Sequence, residues 1–169
     1  MSKVKLNLKK NKPSKDSFSF QFDTFGQLED ALELIFSSSA ASVILYTAAI
    51  KCGVHLYKSV KKEFDTKEEA LNLFSQLKRE ENWGDVVFRE VDLKRRSGKV
   101  VIKNSFESVA RKTKEPSCHF FRGFLAGFLS ELFDRTVVVT EEKCASSGDA
   151  HCEFRFEEGQ AMSQPRYVG

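Results

Sequence analysis

The chain has 169 residues, 41% hydrophobic and 30% charged, with a net charge of +3. These are globular proportions and exclude a low-complexity disordered chain. The charge is too small to argue for nucleic-acid binding, and the length fits one domain with a real core.

The first fifteen residues carry Lys3, Lys5, Lys9, Lys10, Lys12 and Lys15. They read as a solvated basic arm over 1–16, or as an arm for anionic lipid or nucleic acid. No apolar h-region follows, so no secretory signal is expected. Phe18, Phe20 and Phe22 alternate with polar residues, as in a half-buried strand. Thr24 predicts the cap of a helix over 25–36, whose apolar face is Leu28, Ala31, Leu32, Ile35 and Phe36.

A longer helix is predicted over 40–64, with Ile44, Ala48, Cys52, Leu56 and Val60 near one face. Its most apolar run, 37–50, is too short to span a bilayer. Gly53 hints at close helix packing. His55 has three readings: a pocket hydrogen-bonder, a competing metal ligand, or a partly exposed helical histidine. Thr66 and Glu69 form a capping box that opens a helix with Ala70, Leu71, Phe74 and Leu77 on one face. Trp83 reads as a plug at a helix–strand corner or as the wall of a ligand mouth. Val86, Phe88 and Glu90 alternate as a strand. A turn at 95–98 leads to a second strand from Val100. Residues 111–115 read as a solvated charged connector.

Residues 118–133 recur apolar at three- and four-residue steps, predicting a buried helix with Ser117 as its N-cap and Cys118 in its first turn. Gly123 and Gly127 lie on one face and point to close backbone packing. Strands over 136–142 and 151–157 flank the turn Ser146-Ser147-Gly148-Asp149 as a hairpin. Strand parity turns Cys152 inward with Phe154 and Phe156, and Glu141 inward with Val137 and Val139. Cys144 ends the first strand, near Cys152. An inward carboxylate is costly unless paired or coordinating. Three thiolates and one carboxylate suit tetrahedral zinc. Two other readings stay open: buried cysteines filling a core with Glu141 in solvent, or a disulfide, which a reducing compartment disfavours.

Residues 117–156 resemble the V4R (4-vinyl reductase) domain. The matching residues are Cys118, the Gly123–Gly127 pair, Glu141, Cys144, Gly148-Asp149 and Cys152-x-Phe154. The segment 45–56 extends the resemblance with a tyrosine-then-glycine helix. The resemblance implies a zinc held by Cys118, Glu141, Cys144 and Cys152. It also implies helices packed across a twofold dimer interface, and the fold shared with TRAPP vesicle-tethering subunits.

The expected architecture is therefore α+β, an antiparallel sheet packed with helices. A metal site ties the C-terminal hairpin, the domain spans 17–158, and 159–169 is a polar tail. The expected function is non-enzymatic: a cytoplasmic homodimer that binds a small apolar or aromatic ligand. No nucleic acid and no membrane span are expected, and a TRAPP-like interaction module is the alternative. No G-x-S-x-G, phosphate loop or H-E-x-x-H supports catalysis. Sixteen phenylalanines fill either a core or a ligand cavity.

Overall fold

A computed structural model describes residues 22–159. The basic arm, most of the 18–22 alternation and the tail from 160 lie outside the described residues.

In chain order the elements are α1 (Phe22–Phe36), α2 (Ser38–Val60), α3 (Lys67–Glu80), β1 (Asp85–Asp92), β2 (Ser97–Lys103), α4 (Phe106–Ala110), α5 (His119–Phe133), β3 (Val137–Lys143) and β4 (Cys152–Glu158). The sheet is antiparallel, in the order β1-β2-β4-β3. Its inner face presents Val86, Val100, Ile102, Cys152, Phe154, Phe156, Val137 and Val139, all buried.

Helix α5 lies across that face and is the centre of the core. Ten of its fifteen residues are buried, as expected of a helix covered on both sides. Toward the sheet, Phe121 stacks on Phe154 and Phe133 on Phe156, each at 6.2 Å. Burying each such ring contributes about 1.5–3 kcal/mol. Toward α2, side chains give way to backbone. A Cβ on Gly53 would lie 2.1 Å from the Phe124 carbonyl oxygen. A Cβ on Gly123 or Gly127 would lie 2.2 Å from the carbonyl oxygen of Tyr46 or Ile50. The three glycines predicted to mark close approach therefore seat α2 on α5.

This packing corrects the expected face of α2. The buried stripe is Ala41, Leu45, Ala49 and Gly53, joined by Val60. Ile44 is exposed, as are Ala48 and Cys52. The helix is also longer than its most apolar run. By length and composition alone its 23 residues would cross a membrane, but the Gly53 stripe is buried against α5.

Helix α1 differs more. Thr24 lies inside it rather than at its cap, and Phe22 begins it instead of closing a strand. Its expected apolar face points outward: Leu28, Ile35 and Phe36 are exposed, together with Leu34. What it buries is Gly26 and Glu29. The reason is Arg111, whose guanidinium reaches Glu33 at 2.8 Å, Asp30 at 3.5 Å and Glu29 at 3.7 Å. The connector at 111–115 is thus a clamp at its first residue. Ser37, with φ 84°, breaks α1 from α2, and its hydroxyl accepts the Ala40 N–H.

The capping box forms as predicted. Thr66 Oγ1 accepts the Glu69 N–H and Glu69 Oε2 accepts the Thr66 N–H. In β1 the alternation ends at Glu90, whose φ of 52° accompanies a bulge between Arg89 and Asp92.

Candidate metal centre and adjoining cavity

The four predicted ligands converge. One donor atom each from Cys118, Glu141, Cys144 and Cys152 lies within 4.8 Å of the others. All three cysteines are free and fully buried. Cys118 is the N-cap residue of α5, not a first-turn residue, and Ser117 precedes it. Glu141 pairs with Phe154 across the hairpin, in the inward phase expected. Its Oε2 accepts the Cys118 N–H at 3.0 Å.

The turn between β3 and β4 aims Cys144. A single 3-10 turn, Ala145–Ser147, ends at Gly148 with φ 111°, a conformation suited to glycine. Asp149 then reaches back, and its Oδ2 accepts the Cys144 N–H at 2.9 Å. Ser146 Oγ lies 2.9 Å from Cys144 Sγ and 2.9 Å from Ser117 Oγ, and Thr113 Oγ1 joins at 2.8 Å. This hydroxyl network joins the segment before α5 to the hairpin turn.

The donor set fits a tetrahedral cation. Cys118 Sγ lies 3.6 Å from both Cys144 Sγ and Cys152 Sγ. Zinc–sulfur bonds of about 2.3 Å in a tetrahedron place sulfurs about 3.8 Å apart. The second carboxylate oxygen, Glu141 Oε1, is buried with no hydrogen-bond partner, which a cation would supply.

The electrostatics give the same answer. Burial, then the neighbouring Cys144, pushes Glu141 up to about 8. Hydrogen bonds from Cys118 and Cys152 pull Cys144 far down, so it alone is readily a thiolate. Those sulfur contacts and burial raise Cys118 well above the usual thiol range. At Cys152 the contact with Cys118 lowers the thiol, but Cys144 and burial outweigh it and carry it to about 12. Four acidic groups in a dry site cannot all ionise unless a cation balances them.

A cavity of about 480 Å³ opens beside the same helix. Its walls are Leu56, Trp83, Phe120 and Phe124, and Lys51, Cys52, His55, Ser59, Lys78 and Glu81 also line it. His55 is thus both exposed and a pocket residue. Trp83 is both plug and wall, with its ring 5.0 Å from Phe106 and 4.9 Å from Phe124. A larger, more polar recess of about 810 Å³ lies at the opposite end of α5, around Ser130, Arg135 and Glu158. It has no aromatic wall and is remote from the cysteines.

Two features escaped sequence reasoning. Lys78 is buried, its Nζ 4.0 Å from the Trp83 ring centre and 4.4 Å from that of Phe124. Its position after Leu71 and Phe74, at helical steps, was the available signal. Glu107 on α4 is also buried and caps α5 from outside, accepting the N–H groups of Phe120 and Phe121 at 2.8 and 2.9 Å. The short α4 carries no periodicity to announce it.

Residues 99–158 match the V4R domain. The match spans β2 through β4 and contains all four cluster residues. An uncharacterised protein of Methanocaldococcus jannaschii is 42% identical over 57 residues, covering 32% of this chain and 25% of that protein. A second from the same organism is 38% identical over 40 residues, covering 24% of this chain and 25% of that protein. The chain thus spans about a quarter of the length of these curated relatives. Among solved structures, a vinyl-4-reductase family protein from M. jannaschii superposes with a TM-score of 0.61 at 25% identity, covering 86% of each chain. The phenol-responsive sensory domain of the transcription activator PoxR, with phenol, gives 0.76 at 18% identity over 84% of this chain and 76% of that one. A trafficking protein particle complex subunit 3 from Naegleria fowleri, covalently bound to palmitic acid, gives 0.61 at 13% identity over 85% and 98%. The V4R domain and TRAPP subunits therefore share this α+β fold.

Proposed function

We propose that this chain is a non-enzymatic V4R module that binds a small hydrophobic or aromatic ligand beside α5, with a structural zinc at Cys118, Glu141, Cys144 and Cys152. The observation that carries the reading is that one helix serves both places. Cys118 caps α5 and belongs to the donor cluster, while Phe120 and Phe124, two and six residues on, wall the cavity. A metal there fixes the start of α5 against the hairpin and so fixes the pocket wall. A full four-ligand shell leaves no position for a reacting water, which makes the metal structural rather than catalytic. Free thiols of this kind suit the cytoplasm.

The fold likeness to a phenol-responsive sensory domain supports a sensor or carrier role. Native mass spectrometry of the purified chain tests it. One zinc per chain and a retained small molecule are expected. A metal-free protein with an unchanged melting temperature after zinc addition would reject the reading.

The exposed apolar residues Leu34, Ile35, Phe36, Val43 and Ile44 favour a second element. They form a strip at the α1–α2 junction of the kind that marks an interface. We read it as the homodimer face. A TRAPP-like scaffold role, in which this strip serves another protein, is the alternative. A monomer in solution that carries no ligand would favour that alternative.

A further inference from the structure

The polar groups of the cavity are not those of a site for a neutral hydrocarbon. Lys51, His55 and Lys78 line it, and Glu81 is its one carboxylate. The Lys78 side chain is 2% exposed and pairs with Glu81, whose side chain is 41% exposed. The ammonium also lies over the Trp83 and Phe124 rings. A buried ammonium must keep a counter-ion, because an unpaired buried charge is strongly unfavourable. Burial pulls the Lys78 pKa down and the Glu81 carboxylate pulls it back up.

The arrangement is asymmetric. The cation is fixed in the wall, and its anion stands half in water just past the end of α3. A ligand carboxylate can replace the Glu81 carboxylate and leave Lys78 paired. The apolar body of the same ligand would then cover Leu56, Trp83, Phe120 and Phe124. A neutral ligand of the same shape gains only that apolar contact.

Resting on the ligand-binding reading above, we propose that the cavity selects a carboxylate on an apolar body, and that Lys78 is its specificity-determining residue with Glu81 as a resident competitor. Selectivity follows from the charge-assisted hydrogen bond, which only an anion makes at full strength.

Trp83 is the only tryptophan in the sequence, so its fluorescence reports occupancy. The test titrates the zinc-supplemented full chain with 4-phenylbutyrate and with its neutral amide, 4-phenylbutanamide. The carboxylate is expected to bind about tenfold more tightly, the worth of one such bond. Lys78→Met should bring the two affinities together. Glu81→Gln should tighten the carboxylate about threefold, the gain from removing a competing ion pair that stays partly in water, and leave the amide unchanged. Should Lys78→Met fail to fold, Glu81→Gln decides alone: unchanged or weaker carboxylate binding overturns the proposal. Equal binding of acid and amide by the unmodified chain overturns it too, with the pocket reading intact. No response of Trp83 to either compound overturns both.

Discussion

The Glu141 carboxylate grips the Cys118 N–H with one oxygen, at 3.0 Å, and leaves its other oxygen buried without a partner. One residue thus performs two tasks. It holds the start of α5 to β3, and it offers a donor atom to whatever sits among the three sulfurs. The second task is costly without a cation, because a buried carboxylate beside the Cys144 thiolate is repelled by it.

This division predicts opposite effects for Glu141→Gln with and without metal. The amide carbonyl still accepts the Cys118 N–H, and the amide NH₂ can donate to Cys144. With metal chelated, the variant should melt at or above the unmodified chain. With zinc added, it should melt below it, since a neutral ligand holds the ion less firmly and ligation adds to stability by mass action. Thermal melts in chelator and in zinc check this. A variant below the unmodified chain in both would show that the carboxylate is structural only.

The glycine contacts predict an inversion of helix propensity. Alanine stabilises an exposed helix by about 1 kcal/mol over glycine. At Gly127 its Cβ would meet the Ile50 carbonyl at 2.2 Å, a contact that only separation of α2 from α5 relieves. Gly127→Ala should cost about 3 kcal/mol or more. Gly148→Ala has nothing within 4 Å of the new Cβ and only the φ of 111° against it, so about 1 kcal/mol is expected. Urea denaturation of both variants gives the order directly.

The same contacts explain which parts of the fold were legible from residues alone. Cys118, Glu141, Cys144 and Cys152 could be placed because strand parity and a helix start are local signals. The capping box at Thr66 and the hairpin are local for the same reason. The buried face of α2 was misplaced because tight packing selects small residues. Ala41, Ala49 and Gly53 do not stand out on a hydrophobicity count, whereas Ile44 does. The inward face of α1 was missed because its partner, Arg111, lies 78 residues from Glu33. Lys78 was passed over because a charged residue is ordinarily outside, although its spacing from Phe74 put it on the inner stripe.

The outward strip at the α1–α2 junction predicts an oligomer sensitive to one charge. Val43 and Ile44 are exposed on α2, and Ile35 and Phe36 on α1. Ile44→Glu places a carboxylate in the strip without touching the α5 contacts. The unmodified chain should sediment as a dimer and the variant as a monomer, with the metal content of both the same. A monomeric unmodified chain would remove the homodimer reading.

A last prediction concerns the acid pair that docks α1. Glu29 and Glu107 are both fully buried. With both ionised, neither oxygen of Glu29 finds a donor. With one protonated, the two carboxyls share a hydrogen bond. Burial, only partly offset by the bond to Glu107 and by Arg111, lifts Glu29 to about 7. Burial and the charge of Glu29 raise Glu107 well above the usual range. The folded state therefore holds a proton that the unfolded chain releases near pH 4.5. A raised acid contributes its full stability below the unfolded pKa and loses it as pH climbs through the folded one. Stability should fall between about pH 4.5 and 7, and α1 should loosen first because Glu29 is its buried anchor. Glu29→Gln supplies the shared hydrogen permanently through its amide and should flatten this part of the profile. Melting curves from pH 5 to 8, taken as the difference between the two zinc-loaded proteins, isolate the pair from the cysteine cluster. A difference that does not change with pH would mean the two carboxyls titrate as ordinary surface acids.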